Sequence, residues 1–277
     1  MDGRTYIDGV DLYTRYGLYV PANGYNGLVE WPSLKAIDIN DWHEEDGVEP
    51  DLSAPVLDSR TFGLHLAGRP TMAQISALFA HLKREPYHEI DAAEIGRRTF
   101  VRLVGNPRLD YYGDLLFVEL TLADDYPLNG YSYLSPSSTI EEAEGAAIDG
   151  NNFSDYGVRL LEGTKSSFEN RGEVKQNLMR NIASEPGVEY DNSSVRFKAY
   201  DATLGCLLRA ETQTELWRNY DALLYDLVRP GKRIINIPGS SKYYDCYYLS
   251  SNVRRFFGSG KLWLEFDINV NVFNLPY

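Results

Sequence analysis

The sequence predicts an α+β fold, mainly antiparallel β, in which two tandem β-sandwich or open-barrel units each carry one amphipathic helix. Three observations lead there: strands of alternating polarity, a single helical stripe in each half, and a collinear internal repeat. The 277 residues, 43% hydrophobic and 13% aromatic, supply core material for one large or two ordinary domains and exclude disorder.

The repeat sets the order of the elements. Asp46-Gly47-Val48-Glu49-Pro50-Asp51 returns as Pro186-Gly187-Val188-Glu189-Tyr190-Asp191, and Arg60-Thr61-Phe62-Gly63-Leu64 returns as Ala202-Thr203-Leu204-Gly205-Cys206. The offset grows from 140 through 142 to 146, where Phe100 to Asn106 aligns with Cys246 to Asn252 and Leu115 to Leu120 with Lys261 to Phe266. At the starts, Asp8-Gly9-Val10-Asp11-Leu12 is set against Tyr156-Gly157-Val158-Arg159-Leu160. One slowly growing offset is one ordered alignment with small insertions, and that order argues against chance similarity between two β-rich halves.

In each half a β-rich stretch containing the Gly-Val-Glu turn precedes the helix. The first helix is expected from about Thr71 to Lys83, with Met72, Ile75, Leu78, Phe79 and Leu82 on one face. The second is expected from about Thr212 to Leu227, with the stripe Leu216, Trp217, Tyr220, Leu223, Leu224 and Leu227. Thr71 and Thr212 supply starts, and Pro86 and Pro230-Gly231 supply stops. A hairpin follows each helix: Thr99 to Val104 with Leu115 to Leu122, and Tyr244 to Leu249 with Leu262 to Val272. The first pair is separated by turn-rich residues 105–108 and 111–114, the second by Ser250-Ser251-Asn252 and Gly258-Ser259-Gly260. Leu264, Phe266, Ile268 and Val270 alternate with Glu265, Asp267 and Asn269, the pattern of a half-buried antiparallel strand. The expected units are therefore 1–123 and 156–277, joined by a Pro/Gly/Ser-rich linker at 124–155 with one helical turn at Thr139 to Ala147.

Titratable residues give no enzyme signature. His43 lies in an acidic loop whose spacing matches neither a calcium loop nor a zinc site. His81 and His88 straddle the end of the first helix, and Pro86 between them removes the i, i+4 geometry of a metalloprotease helix. His65, on an alternating strand, reads as a packed or interfacial histidine, and Gly239-Ser240-Ser241-Lys242 as a turn. Cys206 and Cys246 sit outside any close-spaced metal pattern and read as small half-buried strand residues. No catalytic residue, cofactor or metal is implied, so a binding or structural role is expected.

Tyrosine supports that role. The 21 tyrosines cluster, notably at Tyr126, Tyr131 and Tyr133, and tyrosine combines large contact area with a polar tip. The competing class is a carbohydrate-binding two-domain β-sandwich module, in which sugars would stack on tryptophan. Trp217 and Trp263 read as core, leaving Trp31 and Trp42 as exposed candidates.

The order of strand Gly9 to Leu12, long loop, Gly-Val-Glu turn, strand ending Thr61-Phe62-Gly63-Leu64, helix and terminal hairpin resembles the tail-tube fold of long-tailed bacteriophages. Within that group the pattern is similar to distal tail proteins and baseplate hub proteins, here with the tube-like unit repeated. The resemblance implies a virion tail protein, assembled in the bacterial host cytoplasm, that contacts tail-tube and baseplate proteins. It implies self-assembly either as a hexameric ring with two tiers or as a trimer with pseudo-sixfold symmetry, through which DNA passes without specific binding.

Charge fits a channel. The net charge of -13 disfavours nonspecific attraction to DNA or an anionic membrane, and no stretch approaches the ~18 apolar residues of a membrane span. The start of the chain shows no basic region leading into an apolar one, so no export address is read. Residues 1–150 carry 11 basic against 25 acidic side chains, a net of -14, while residues 151–277 carry 16 against 15, a net of +1. The acidic surplus at Asp38, Asp41, Glu44, Glu45, Asp46, Glu49 and Asp51, with Asp91 and Glu94, is expected to face a lumen or an adjoining basic ring component.

Overall fold

Alternating polarity along a few long segments sets two antiparallel sheets in place. The computed structural model describes residues 1, 3–141, 145–176, 179–190, 195–258 and 260–275. The first half builds β1 (Tyr6–Ile7), β2 (Val10–Asp11), β3 (Leu18–Tyr19), β4 (Ile39–Asn40), β5 (Glu49–Pro50), β6 (Arg60–Gly68), β7 (His88–Ala92), β8 (Arg97–Leu103), β9 (Arg108–Tyr112) and β10 (Leu115–Asp124). Its helices are α1 (Leu12–Tyr16), α2 (Asn26–Val29) and α3 (Met72–Leu82). The second half builds β11 (Ala147–Ile148), β12 (Asn151–Asn152), β13 (Val158–Leu160), β14 (Met179–Arg180), β15 (Glu189–Tyr190), β16 (Tyr200–Ala210), β17 (Arg233–Asn236), β18 (Tyr243–Phe257) and β19 (Leu262–Asn274). Its helices are a 3-10 turn (Phe153–Tyr156), α4 (Thr164–Glu169) and α5 (Gln213–Val228).

The strand orders are β2-β1-β7-β8-β10-β6-β3, with β9 also on β10, and β12-β11-β17-β18-β19-β16-β13. Strand for strand these are the same path. Each half also sends out a two-stranded arm, β4-β5 or β14-β15, with the Gly-Val-Glu turn leading into its second strand. The fold is α+β and mainly antiparallel β.

The equivalence corrects the alignment of the starts. Asp8-Gly9 turns the β1-β2 hairpin and Asp149-Gly150 turns β11-β12, so Ile7-Asp8-Gly9 corresponds to Ile148-Asp149-Gly150. Tyr156-Gly157 instead matches Tyr16-Gly17, where a short helix ends in a left-handed glycine before the next strand. A shared Gly in a short polar stretch misled the reading.

Both long helices start at the expected threonine. Thr71 accepts from the Gln74 amide at 3.3 Å while the Gln74 side chain accepts from the Thr71 amide at 2.9 Å, a complete capping box; Thr212 accepts from the Glu215 amide at 3.2 Å. Ile75, Leu78 and Leu82 of α3 are buried, but Met72 in the first turn stays 68% exposed, its sulfur 3.7 Å from the Tyr111 hydroxyl. The whole predicted stripe of α5 is buried, and so are its polar residues Glu215, Asn219 and Asp226.

Segment 124–155, expected as a linker, causes that second burial. Thr139 donates its amide to Glu215 at 2.7 Å, Ser137 donates its amide to Asn219 at 2.9 Å, and the Tyr133 hydroxyl donates to Asp226 at 3.0 Å. The segment is an extended cover across the polar face of α5, each buried acceptor matched by a donor. It then supplies β11, β12 and most of the 3-10 turn. Residues 139–141 and 145–147 of the expected helical turn are not helical, and 142–144 lie outside the described residues.

Two stretches expected as turns are strands. Arg108–Tyr112 forms β9, whose residues Tyr112 and Tyr111 face Leu115 and Leu116 of β10. Ser250-Ser251-Asn252 continues β18, which runs to Phe257 through register shifts at Tyr248/Ser250 and Val253/Arg255. Bulges let polar residues pass along a strand without ending it. Trp263, expected in the core, lies half-buried on the outer face of β19, stacked on Phe257 at 4.3 Å, while Leu264, Phe266, Ile268 and Val270 are fully buried.

Buried apolar residues from both halves make one continuous core. Cys206 and Cys246 lie wholly within it as free thiols, and burial pushes both thiols up. We expect a thiol reagent such as dithionitrobenzoate to label neither cysteine in the native protein and both in denaturant. Rapid native labelling of one would place that strand at a mobile edge.

Candidate functional site: the inter-sheet seam and the acidic arm

Two surfaces concentrate the residues singled out by sequence. The first is the seam between the halves. Trp31 follows α2, and its ring, only 4% exposed, stacks on Tyr220 of α5 at 4.3 Å and meets Phe266 edge-on at 5.3 Å. Trp31 is therefore a core residue and no sugar platform, because the aromatic face of α5 covers it. The Tyr248 hydroxyl donates to the Pro32 carbonyl at 2.7 Å, and the Leu34 amide to the Leu249 carbonyl at 2.8 Å, which ties the backbones of the two halves together.

A polar strip borders this cluster. Arg97 grips Asp221 with two bonds of 2.6 and 2.8 Å and lies over the Trp217 ring at 4.8 Å. The Gln213 side chain donates to the Glu94 carbonyl at 2.6 Å. Beside it opens a cleft of about 380 Å³ lined by Arg60, Arg97, Asp124, Tyr126, Tyr131 and Asp221. Among its charges, Arg60 pairs with Asp124 at 3.1 Å and Arg97 with Asp221, while burial raises the Glu30 carboxyl at its edge. The cleft pairs acids with bases across the seam, Arg97 of the first half with Asp221 of the second.

The second surface is the β4-β5 arm. Asp38, Glu44, Glu45, Glu49 and Asp51 are exposed. Asp41 instead accepts from Lys175 at 2.5 Å, and Asp46 accepts from the Phe197 amide at 2.7 Å and from Arg196 at 3.4 Å. Part of the acidic surplus is thus neutralised by the second half of the same chain. Gly47 explains the close docking: its backbone is left-handed, its amide donates to the Phe197 carbonyl at 2.8 Å, and an added Cβ would fall 1.6 Å from the Phe273 carbonyl oxygen. Outside the arm, Asp91 pairs with Arg98 at 2.8 Å and Glu94 with Arg4 at 3.1 Å. Trp42 is 52% exposed on the arm, its ring nitrogen donating to Glu49 at 3.1 Å.

The linker tyrosines divide. Tyr131 and Tyr133 pack against Tyr225 of α5 at 5.9 and 4.9 Å, and burial pushes the Tyr131 hydroxyl up to about 12. Tyr126 remains 64% exposed beside Tyr87. His65 is exposed on the outer face of β6 opposite Glu119, so it is not packed.

Sequence reasoning missed one grouping. Asp8, His81 and His88 converge, and among the described residues they are the group of three with ligand atoms all within 4.8 Å of one another. Asp8 Oδ2 lies 3.0 Å from His81 Nε2 and 2.7 Å from His88 Nδ1, and Asp8 Oδ1 accepts from the Glu89 amide at 2.8 Å. Burial acts to raise the Asp8 carboxyl, but the bonds from His88 and Glu89 outweigh it and hold it below the usual range. Pro86 rules out one helix carrying both histidines, but folding puts them on α3 and β7. The recurrence of Ile-Asp-Gly at an offset of 141 was the available signal.

No family model matches the sequence, and no curated protein does. Among solved structures, the chain is similar to the Dit protein of phage SPP1, described as a paradigm of the hub adsorption apparatus in phages that infect Gram-positive bacteria. The likeness has a TM-score of 0.34 and 17% identity, and it covers 47% of this chain and 50% of that one, so the match spans about half the length of the Dit protein.

Proposed function

We propose that the chain is a structural component of a phage or prophage tail tip or baseplate, and that copies of it form a ring joining tail tube to baseplate around the DNA channel. The observation that carries this reading is the common strand order of two sheets fused through one core. Three such chains present six like units around an axis, and six present two stacked tiers. The β9-β10 hairpin supplies a patch to bury: Tyr112 and Phe117 stand exposed on one face of it, ring edge to ring at 5.7 Å, an apolar pair that solvent disfavours and a neighbouring copy would cover. Tyr126 would serve the same contact with tube or baseplate proteins.

Exposed Asp38, Glu44, Glu45, Glu49 and Asp51 would turn to the lumen, where carboxylates repel phosphates and let DNA pass unbound. Asp41 and Asp46 take no part, being held by Lys175 and Arg196. The reading requires no catalysis, cofactor or membrane insertion. Light scattering with negative-stain imaging over rising concentration tests it. Trimers or hexamers with a central hole are expected, weakened by Tyr112→Asp. A monomer at every concentration, or the same oligomer in the variant with no ring visible, would overturn it.

A further inference from the structure

The hairpin aspartate is bound differently in the two halves although its backbone is the same. Asp8 and Asp149 both adopt φ of 50°, and both use Oδ1 to accept an amide from the neighbouring strand, Glu89 at 2.8 Å or Ile234 at 2.7 Å. In the second half Oδ2 accepts from the Arg233 guanidinium at 2.6 Å. In the first half His88 occupies the place of Arg233, its Nδ1 at 2.7 Å from Oδ2. The helix residue differs likewise: Tyr156 donates to Asp226 at 2.7 Å, whereas Tyr16 meets His81 at 2.6 Å. Where one half has a fixed cation that ligates nothing, the other has two imidazoles. A ring nitrogen facing a carboxylate is attracted to it only through a proton or a metal ion between them.

We propose that Asp8, His81 and His88 form a binding site for one divalent ion of the zinc class, with ligands Asp8 Oδ2, His81 Nε2 and His88 Nδ1. Two imidazole nitrogens and one carboxylate oxygen suit zinc-like ions and not calcium or magnesium, which take oxygen. Each ligand is held from behind, as ligating groups are. His88 Nε2 donates to the Leu82 carbonyl at 3.1 Å, which leaves Nδ1 as the donor atom. His81 Nδ1 meets the Tyr16 hydroxyl, and Glu89 fixes the other oxygen of Asp8.

An ion at ~2.0 Å from each ligand sets tetrahedral donors about 3.3 Å apart, so the cluster opens by roughly 0.5 Å. Asp8 can supply that movement, since it sits at a hairpin tip with a third of its side chain exposed, while His88 is buried. Solvent on the Asp8 side fills the fourth position. The ion would pin the β1-β2 hairpin to α3 and β7, as Arg233 pins β11-β12 to α5 and β17.

The test titrates the chelator-stripped full chain with zinc chloride, followed by dialysis and metal analysis, and with cobalt(II) followed by visible absorption. One retained equivalent of zinc is expected, with intense tetrahedral cobalt bands. Asp8→Asn, which keeps the Glu89 bond and suits a left-handed backbone, and His81→Gln should each weaken binding about tenfold or more. His43→Gln should bind as the parent does. No retained zinc, equal retention in Asp8→Asn and His81→Gln, or only weak octahedral cobalt bands from surface carboxylates would overturn the proposal. Should a variant lose its circular dichroism, the cobalt spectrum of the parent decides alone.

Discussion

Arg233→Met is expected to lower the unfolding free energy by about 3–5 kcal/mol, read from the shift in a urea denaturation midpoint. The Arg233 side chain is only 5% exposed and reaches five oxygens: Asp149 at 2.6 Å, the Asp226 carbonyl at 3.0 Å, and the carbonyls of Arg229, Pro230 and Gly231 at 3.3, 2.9 and 2.9 Å. The Asp226 carbonyl lies in the last turn of α5, where the helix leaves it without an intrahelical partner, and the other three belong to the C-cap Arg229 and the turn after it. Methionine fills similar volume but donates nothing, so the carboxylate and the carbonyls lose their cation together. Arg229, 3.4 Å from Asp149, restrains the loss toward the lower figure. A change under ~1 kcal/mol would mean that water already reaches the β11-β12 turn and satisfies it.

Trp31→Ala is expected to cost about 3–5 kcal/mol, the range for deleting a large buried aromatic ring. The ring meets Tyr220, Tyr248 and Phe266, all from the other half, so the cavity opens between the halves. Trp31→Phe should recover most of the loss by keeping the stack on Tyr220. Because the core is continuous, both variants should still unfold in one transition. Two separated transitions in Trp31→Ala, the first costing little, would show that each half is stable alone.

Much of the fold was legible because it is written in local signals. The stripe of α5, the two threonine caps and the alternation of β19 each depend on residues within a few positions of one another. Strand β9 was lost because Asn106, Pro107 and Gly113 punctuate it like a loop, and β18 because Ser250-Ser251-Asn252 imitates a turn that its bulges carry through. The polar stretch 133–139 looked like free linker because Glu215, Asn219 and Asp226, which bind it, lie about 76–93 residues away in sequence. Distance hid the site residues too. Nothing near Trp31 announces Tyr220, nothing near Asp41 announces Lys175, and Asp8 meets His88 only after 80 residues have folded back. Acidic arm residues, by contrast, were visible as a run, although not which of them the chain itself would neutralise.

The seam also imposes a schedule on biosynthesis. Trp31 leaves the ribosome roughly 190 residues before Tyr220, and at typical elongation rates that interval lasts about 10–40 s. Once β10 has emerged, roughly 100 residues before Tyr220, the first sheet can pair its own strands, but the aromatic face formed by Trp31 still has no lid. A nascent chain in this state offers a sticky surface to chaperones and to neighbouring nascent chains on the same message. Sealing depends on α5 and β18, both encoded late, so a chain truncated before them would keep that surface open.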